Sequence, residues 1–299
     1  MHRKAIFVIL VLVQFSSVVT AKDTPDKLQA TIEEAIRASG AEIVAVAFHD
    51  LASGKEILIN ADASLHAAST MKVPVMIELY RQAAAKKFSL DDRLPIKNDF
   101  ISIADGSHFS ISADDDSEAT LYKHLGETET IRELMRLMIV MSSNLATNLL
   151  IERLGAKNIM ELMQQMGATK IQVLRGVEDS KAFERKMNNT TTARDLMILL
   201  RRIAERRAVS PQASDEMVKI LLTQRFNEGI PAGVSPEARV AHKTGSITKI
   251  YHDAAIVYPP RRKPYILVVL TRGFADEKQA HQLTTTISRM IYERTTKSD

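Results

Sequence analysis

The chain has 299 residues and no cysteine, which excludes a thiol nucleophile, a cysteine zinc site and a disulfide scaffold. An apolar share of 45% and a charged share of 25% are those of a globular protein. A chain of this length can bury a core that needs no covalent staples. The formal net charge of +4 is too small to point to nucleic acid or an anionic membrane as a partner.

At the N-terminus, Arg3 and Lys4 precede an apolar run from Ala5 to Val13, and Val19-Thr20-Ala21 offers a small-residue cleavage site. Residues 1–21 therefore read as an export signal, and a periplasmic or secreted protein is expected. The apolar run is short for a bilayer span, so an uncleaved anchor is the weaker alternative and no membrane association is expected after cleavage. Next, Leu28, Ile32, Ala35 and Ile36 share one face of a helix over 26–39 that Gly40 ends. Two strands, 43–50 and 55–60, are joined by Leu51-Ala52-Ser53-Gly54. A helix over 70–85 tolerates Pro74 because it falls in the first turn. Residues 98–118 are acidic, rich in Ser and Asp, and without period, which suggests an irregular excursion or a solvated hairpin.

Helical periodicity returns over 130–140, 145–154 and 157–166, with Gly155 and Gly167 as stops. Methionines 135, 138, 141, 160, 163 and 166 read as core filler between these helices. Residues 173–191 are polar and aperiodic, and a loop that long inside a compact domain is often functional. A helix over 192–207 follows. Strands over 240–246, 252–258 and 265–271 and a terminal helix over 276–295 complete the chain. Strands at both ends with helices between them predict an α+β fold. One antiparallel sheet is built from both termini (22–66 and 235–299, with flanking helices), and 67–234 form an inserted all-α lobe.

Three short motifs stand out: Ser69-Thr70-Met71-Lys72, Ser142-Ser143-Asn144 and Lys243-Thr244-Gly245. A serine hydroxyl needs a base before it attacks anything. If Ser69 opens the helix, Lys72 lies one turn on and on the same face. A lysine is ordinarily protonated at neutral pH, but burial and a second cation such as Lys243 both disfavour that charge. Singly the motifs are weak: Ser246-Ile247-Thr248-Lys249 repeats the first pattern, and a Ser/Asn turn between helices is ordinary capping. Other chemistries fit worse. The histidines lack zinc-ligand spacing, no G-x-S-x-G elbow supports a triad with His252 and Asp253, and Lys-Thr-Gly has the wrong order for a phosphate loop.

Taken together, in this order and in these contexts, the motifs resemble the S-x-x-K, S-D-N and K-T-G set of class A β-lactamase-like serine hydrolases. Ser143 stands where that set has Asp. The resemblance covers nearly all of the chain beyond the leader, and implies a cofactor-free, metal-free hydrolase acting on a β-lactam or peptide-like amide, expected to be a monomer. It implies Ser69 as nucleophile and Lys72 as proton acceptor, with Ser142 relaying a proton to the leaving nitrogen. Asn144, Lys243, Thr244, Gly245 and Ser246 would bind substrate, and the backbone N–H groups of Ser69 and Ser246 would form an oxyanion hole. The family's deacylating Glu lies on a long loop; Glu178 after Arg175 is favoured for it here and Glu184 is the rival. Asn189 stands where the family has the Asp that pairs with the loop's Arg. A penicillin-binding-type D-Ala peptidase or related amidase with slow deacylation, and an inactive secreted binding module, are the alternatives.

Overall fold

Residues 27–296 are described by a computed structural model, and the expected export signal of residues 1–21 lies outside them. In chain order, α1 (Lys27–Ala38) leads into β1 (Ile43–Asp50) and β2 (Glu56–Ile59). The short β3 (Leu65–His66) precedes a 3₁₀ turn at Ala68–Met71 and α2 (Lys72–Ala84). Four short strands follow: β4 (Arg93–Pro95), β5 (Phe100–Ile101), β6 (His108–Phe109) and β7 (Thr128–Thr130). Next come α3 (Ile131–Val140), α4 (Asn144–Leu154), α5 (Ala156–Gln165) and the one-turn α6 (Ser180–Glu184). Then β8 (Thr190–Thr191), α7 (Ala193–Ala204) and α8 (Pro211–Leu221) lead to β9 (Arg239–Ile247), β10 (Ile250–Tyr258), β11 (Tyr265–Arg272) and α9 (Glu277–Thr296).

The main sheet has five antiparallel strands in the order β2-β1-β11-β10-β9. Val46 of β1 lies opposite Val269 of β11, so both chain ends build one sheet, as the strand pattern predicts. Side chains alternate across it. Val44, Val46 and Phe48 join α1 and α9 residues such as Ile32, Ile287 and Ile291 on one face. Ala45 and Ala47 face the helical residues of α2, α3, α4 and α7 on the other. Both faces are covered, which is why β1 and β11 read as almost continuous apolar runs.

Helix α2 is buried along ten of its thirteen residues, the mark of a helix surrounded by others. Its buried Glu78 is held by Arg81 at 2.6 Å and Gln82 at 2.7 Å. The structure starts this helix later than its sequence suggests, because Ser69 sits in the tighter 3₁₀ turn. Helix α8 was not expected, although Ser210 caps it by accepting from Ala213 N at 3.1 Å and Pro211 occupies its first position, a recognised start signal. Of the methionines, Met141 and Met160 are only partly buried, and Met160 Sδ accepts the Val173 N–H at 3.1 Å. Residues 98–118 contain the β5–β6 hairpin, closed by Phe100 opposite Phe109.

Candidate active site

Ser69 lies half-buried in the 3₁₀ turn at the mouth of a cleft of about 920 Å³ that Ser142, Asn144, Glu178, Thr244, Gly245 and Ser246 also line. The turn is pinned from below, where Thr70 Oγ1 donates to Ala67 O at 2.6 Å. Ala68, just before the serine, has φ of 45°, a conformation that costs a non-glycine residue free energy and concentrates at functional sites. Across the cleft, β9 comes so close that a Cβ on Gly245 would lie 3.0 Å from Ser69 N. Glycine is required there by the approach itself.

Lys72, the first residue of α2, is fully buried. Its ammonium donates to Ser142 O at 2.6 Å, Asn144 Oδ1 at 2.9 Å and Ser142 Oγ at 3.2 Å. These acceptors belong to Ser142, in the break between α3 and α4, and to Asn144, which opens α4; Ser142 has φ of 60°. Burial pulls the Lys72 pKa down to about 7, with the Asp116 and Glu178 carboxylates opposing. Lys72 is therefore turned toward the Ser142–Asn144 break, and the Ser69 hydroxyl has no hydrogen bond among the described residues. Its hydrogen bonds go to the break rather than to the hydroxyl one turn before it. A 3₁₀ turn separates the two residues, and the break offers three better acceptors.

Lys243 reaches the same point from the opposite side. It follows Ala241 on the helix-facing side of β9, where period two places it, and it too is fully buried. Its ammonium donates to Ser142 Oγ at 3.1 Å and to Thr244 O at 2.9 Å. Burial and then the charge of Lys72 hold its pKa well below the lysine range, against the pull of Asp253. Ser142 Oγ thus stands between two lysines. Beneath them, His242 Nδ1 and Asp253 Oδ1 lie 2.9 Å apart. His252 and Asp253 are buried inside β10. His252 Nε2 donates to His66 O at 2.9 Å, and its Nδ1 accepts the Thr271 N–H at 3.2 Å. Burial lowers the His252 pKa to about 4, so the ring is a neutral tie between strands.

The loop of residues 173–191 carries Glu178 into the cleft, with Asn144 Nδ2 donating to Glu178 Oε1 at 3.2 Å. Glu178 has φ of 60°. The surrounding protein and then Asp115 raise its pKa, while Lys72 and Arg175 oppose. Glu184 ends α6 and is exposed outside the cleft, so the geometry separates the two candidates. The loop is fastened at several points. Asn148 of α4 accepts Val177 N at 2.6 Å and donates to Val177 O at 3.0 Å. Asp179 accepts from Ser102 Oγ at 2.8 Å, Ile103 N at 3.1 Å and Ala182 N at 3.0 Å.

Asp116, Asn148 and Asp179 escape a reading of motifs. Asp116 and Asp179 sit in acidic stretches where nothing local marks which carboxylate is buried. Asn148 gives no signal beyond being a polar residue on a helix face. No group of three or more His, Cys, Asp or Glu able to hold a metal occurs among the described residues.

The ordered convergence of these motifs agrees with a match to a family model described as "Beta-lactamase enzyme family" over residues 27–295. The chain belongs to the β-lactamase enzyme family. Beta-lactamase 1 of Streptomyces cacaoi is 26% identical across 53% of this chain and 51% of its own length. The chain spans about half the length of the first curated relatives it matches. Among solved structures, a β-lactamase from Sphaerobacter thermophilus is 25% identical with a TM-score of 0.77, covering 90% of this chain and 97% of that one. PBP-A is 28% identical with a TM-score of 0.78, over 90% of this chain and 96% of that one. In this β-lactamase-family chain the place of the signature Asp is held by Ser143, which caps α4 by accepting from Ala146 N at 3.2 Å.

Proposed function

We propose that the chain is an exported, monomeric, class A-like serine β-lactamase that opens β-lactam amides through an acyl-Ser69 intermediate. The observation that carries this reading is Ser142 Oγ, lying within 3.2 Å of Lys72 Nζ and 3.1 Å of Lys243 Nζ in the cleft that Ser69 enters. A buried amine with a pKa of about 7 is neutral often enough at physiological pH to take the Ser69 proton as its oxygen attacks the carbonyl carbon. Backbone N–H groups of Ser69 and Ser246 receive the developing oxyanion. The proton then passes from Lys72 through the Ser142 hydroxyl to the departing ring nitrogen, and the C–N bond breaks. Lys243 and Thr244 hold the substrate carboxylate, whose charge favours the protonated form of Lys243. In the second half, Glu178 accepts a proton from the water that attacks the ester carbon, the bond to Ser69 Oγ breaks, and a proton returns to that oxygen as the acid product leaves.

A D-Ala peptidase with slow deacylation is the second reading. It gains support from the likeness to PBP-A, a mutant of which is known as an acyl-enzyme complex with penicillin G. Time-resolved intact mass spectrometry of the purified protein with a penicillin and with a chromogenic cephalosporin separates the two. Transient adducts on Ser69 with continuing product release are expected for the first reading. A stable stoichiometric adduct favours the second, and no adduct at all defeats both.

A further inference from the structure

We propose that Asp116 is the positioning residue of the Ser142–Asn144 turn: residues 98–118 supply from outside the carboxylate that the turn lacks at Ser143. Its catalytic consequence rests on the acyl-serine reading above.

Asp116 is a buried carboxylate, 8% exposed, whereas its neighbours Asp114, Asp115 and Ser117 are exposed. Its Oδ1 accepts from Asn144 N at 3.0 Å, and its Oδ2 from Asn144 N and Leu145 N at 2.9 Å each. These are the first two amides of α4, which have no acceptor inside their own helix. The carboxylate also takes Tyr122 Oη at 2.9 Å, Glu118 N at 3.1 Å and, at 3.4 Å, Ser143 Oγ. Next to it, Ser117 Oγ donates to Met141 O at 2.7 Å, so the same segment grips the break on both sides of Ser142.

The grip has a specific consequence. Ser142 is held in the left-handed region at φ 60°, which a non-glycine residue keeps only where its surroundings enforce it. In that conformation Ser142 presents its carbonyl and hydroxyl to Lys72 Nζ, and Asn144 presents Oδ1. Fixing the Asn144 amide therefore fixes the acceptors that aim the lysine. The charged groups facing Lys72 are Asp116, Glu178 and, across the shared Ser142 hydroxyl, Lys243. Of the carboxylates, Asp116 opposes the effect of burial on Lys72 more than Glu178 does.

The geometry also makes two solutions mutually exclusive. Ser143 is fully buried and touches Asp116. An Asp at 143 would face Asp116 directly, and two carboxylates in one buried place cannot both ionise without cost. An acid at one of the two positions works; acids at both, or at neither, do not.

The test is a four-protein cycle in the full chain: wild type, Asp116→Asn, Ser143→Asp and the double variant. The first readout is the rate constant for Ser69 acylation by a chromogenic cephalosporin across pH. The second is the Lys72 titration, followed by NMR of ¹³C-labelled lysine and assigned by its loss in Lys72→Arg. Loss of the turn's geometry in Asp116→Asn is expected to slow acylation roughly 10–100-fold and to move the Lys72 midpoint to lower pH. Ser143→Asp alone is also slow, and the double variant recovers most of both losses. Wild-type acylation and titration in Asp116→Asn, or a double variant no better than the worse single one, overturns the proposal. If the wild type is never acylated, the functional reading fails by itself, and the Lys72 titrations still decide whether Asp116 positions the turn.

Discussion

Asn189 holds Arg175 by its backbone, not by charge. Asn189 Oδ1 accepts Leu174 N at 2.8 Å and Arg175 N at 3.2 Å, and its Nδ2 donates to Arg175 O at 3.0 Å. The Arg175 guanidinium turns instead to Met187 O and Gly176 O, both at 2.9 Å. A neutral amide thus closes the neck of the loop that carries Glu178, where the family resemblance would place an ion pair.

Asn189→Ala removes one acceptor and one donor from a buried neck and takes the side-chain partner from two N–H groups, Leu174 N and Arg175 N, and from one carbonyl, Arg175 O. The expected cost is about 2 kcal/mol of stability, in the range for buried groups left without partners. The bond from Ala67 N to Asn189 O, which ties the neck to the turn before Ser69 at 2.9 Å, is backbone to backbone and survives the substitution, so acylation keeps its rate while deacylation slows and the acyl-enzyme accumulates. Denaturant midpoints and the time course of the acylated mass check this. An unchanged midpoint with unchanged turnover would show that the neck is held by something else.

How much of this was legible in the sequence follows from the range of each interaction. The three motifs could be read because each is a short run of chemically rare partners, and the sheet because its strands alternate or run apolar over eight or nine residues. Burial lowers both lysines, as expected, but the like charge acts one way: Lys72 lowers Lys243, whereas the charges acting on Lys72 are those of Asp116 and Glu178, which oppose burial. Glu178 and Glu184 could not be separated by pattern, because both are acids on the same polar, aperiodic loop. Only the folded chain shows that Phe183 is 54% exposed and that Glu184 beside it is exposed and does not line the cleft. Asp116 was invisible for a related reason: it is one of three successive aspartates, and burial selects it through contacts with α4 made 28 and 29 residues downstream.

The Lys72 pKa makes the acylation rate depend on pH in a definite direction. As base, Lys72 must be neutral, so the rate constant for Ser69 acylation rises through a midpoint near 7 and then levels. Stability follows the same group. Between about 7 in the folded chain and 10.5 in the unfolded one, the unfolded state binds more protons, so stability rises with pH. The cost of burying Lys72 is therefore full below pH 7 and fades toward pH 10.5. Lys72→Met abolishes acylation, and its melting temperature relative to wild type is higher at pH 6 than at pH 10. A pH-independent difference in melting temperature, or acylation that does not rise through neutrality, would remove Lys72 from the role of base.

Gly245 offers the sharpest steric test of the cleft. An added methyl would meet Ser69 N at 3.0 Å, Thr70 N at 3.1 Å and Ala68 Cβ at 3.2 Å. None of these is the far end of a flexible side chain; all belong to the pinned turn that carries Ser69. The turn or strand β9 must therefore shift by a few tenths of an ångström, and both flank the proposed oxyanion position. Overpacking of this kind costs about 1–3 kcal/mol, and a displacement at the reacting atoms of this order lowers the rate by up to about 100-fold. Gly245→Ala is accordingly expected to fold with a modestly lower melting temperature and to lose acylation rate far beyond what that destabilisation explains. The comparison is Gly54→Ala, at φ 75° with nothing within 4 Å, which strains a distant turn and should lower the melting temperature while leaving acylation intact. Equal acylation rates in Gly245→Ala and wild type would mean that the close approach of β9 to Ser69 serves packing alone.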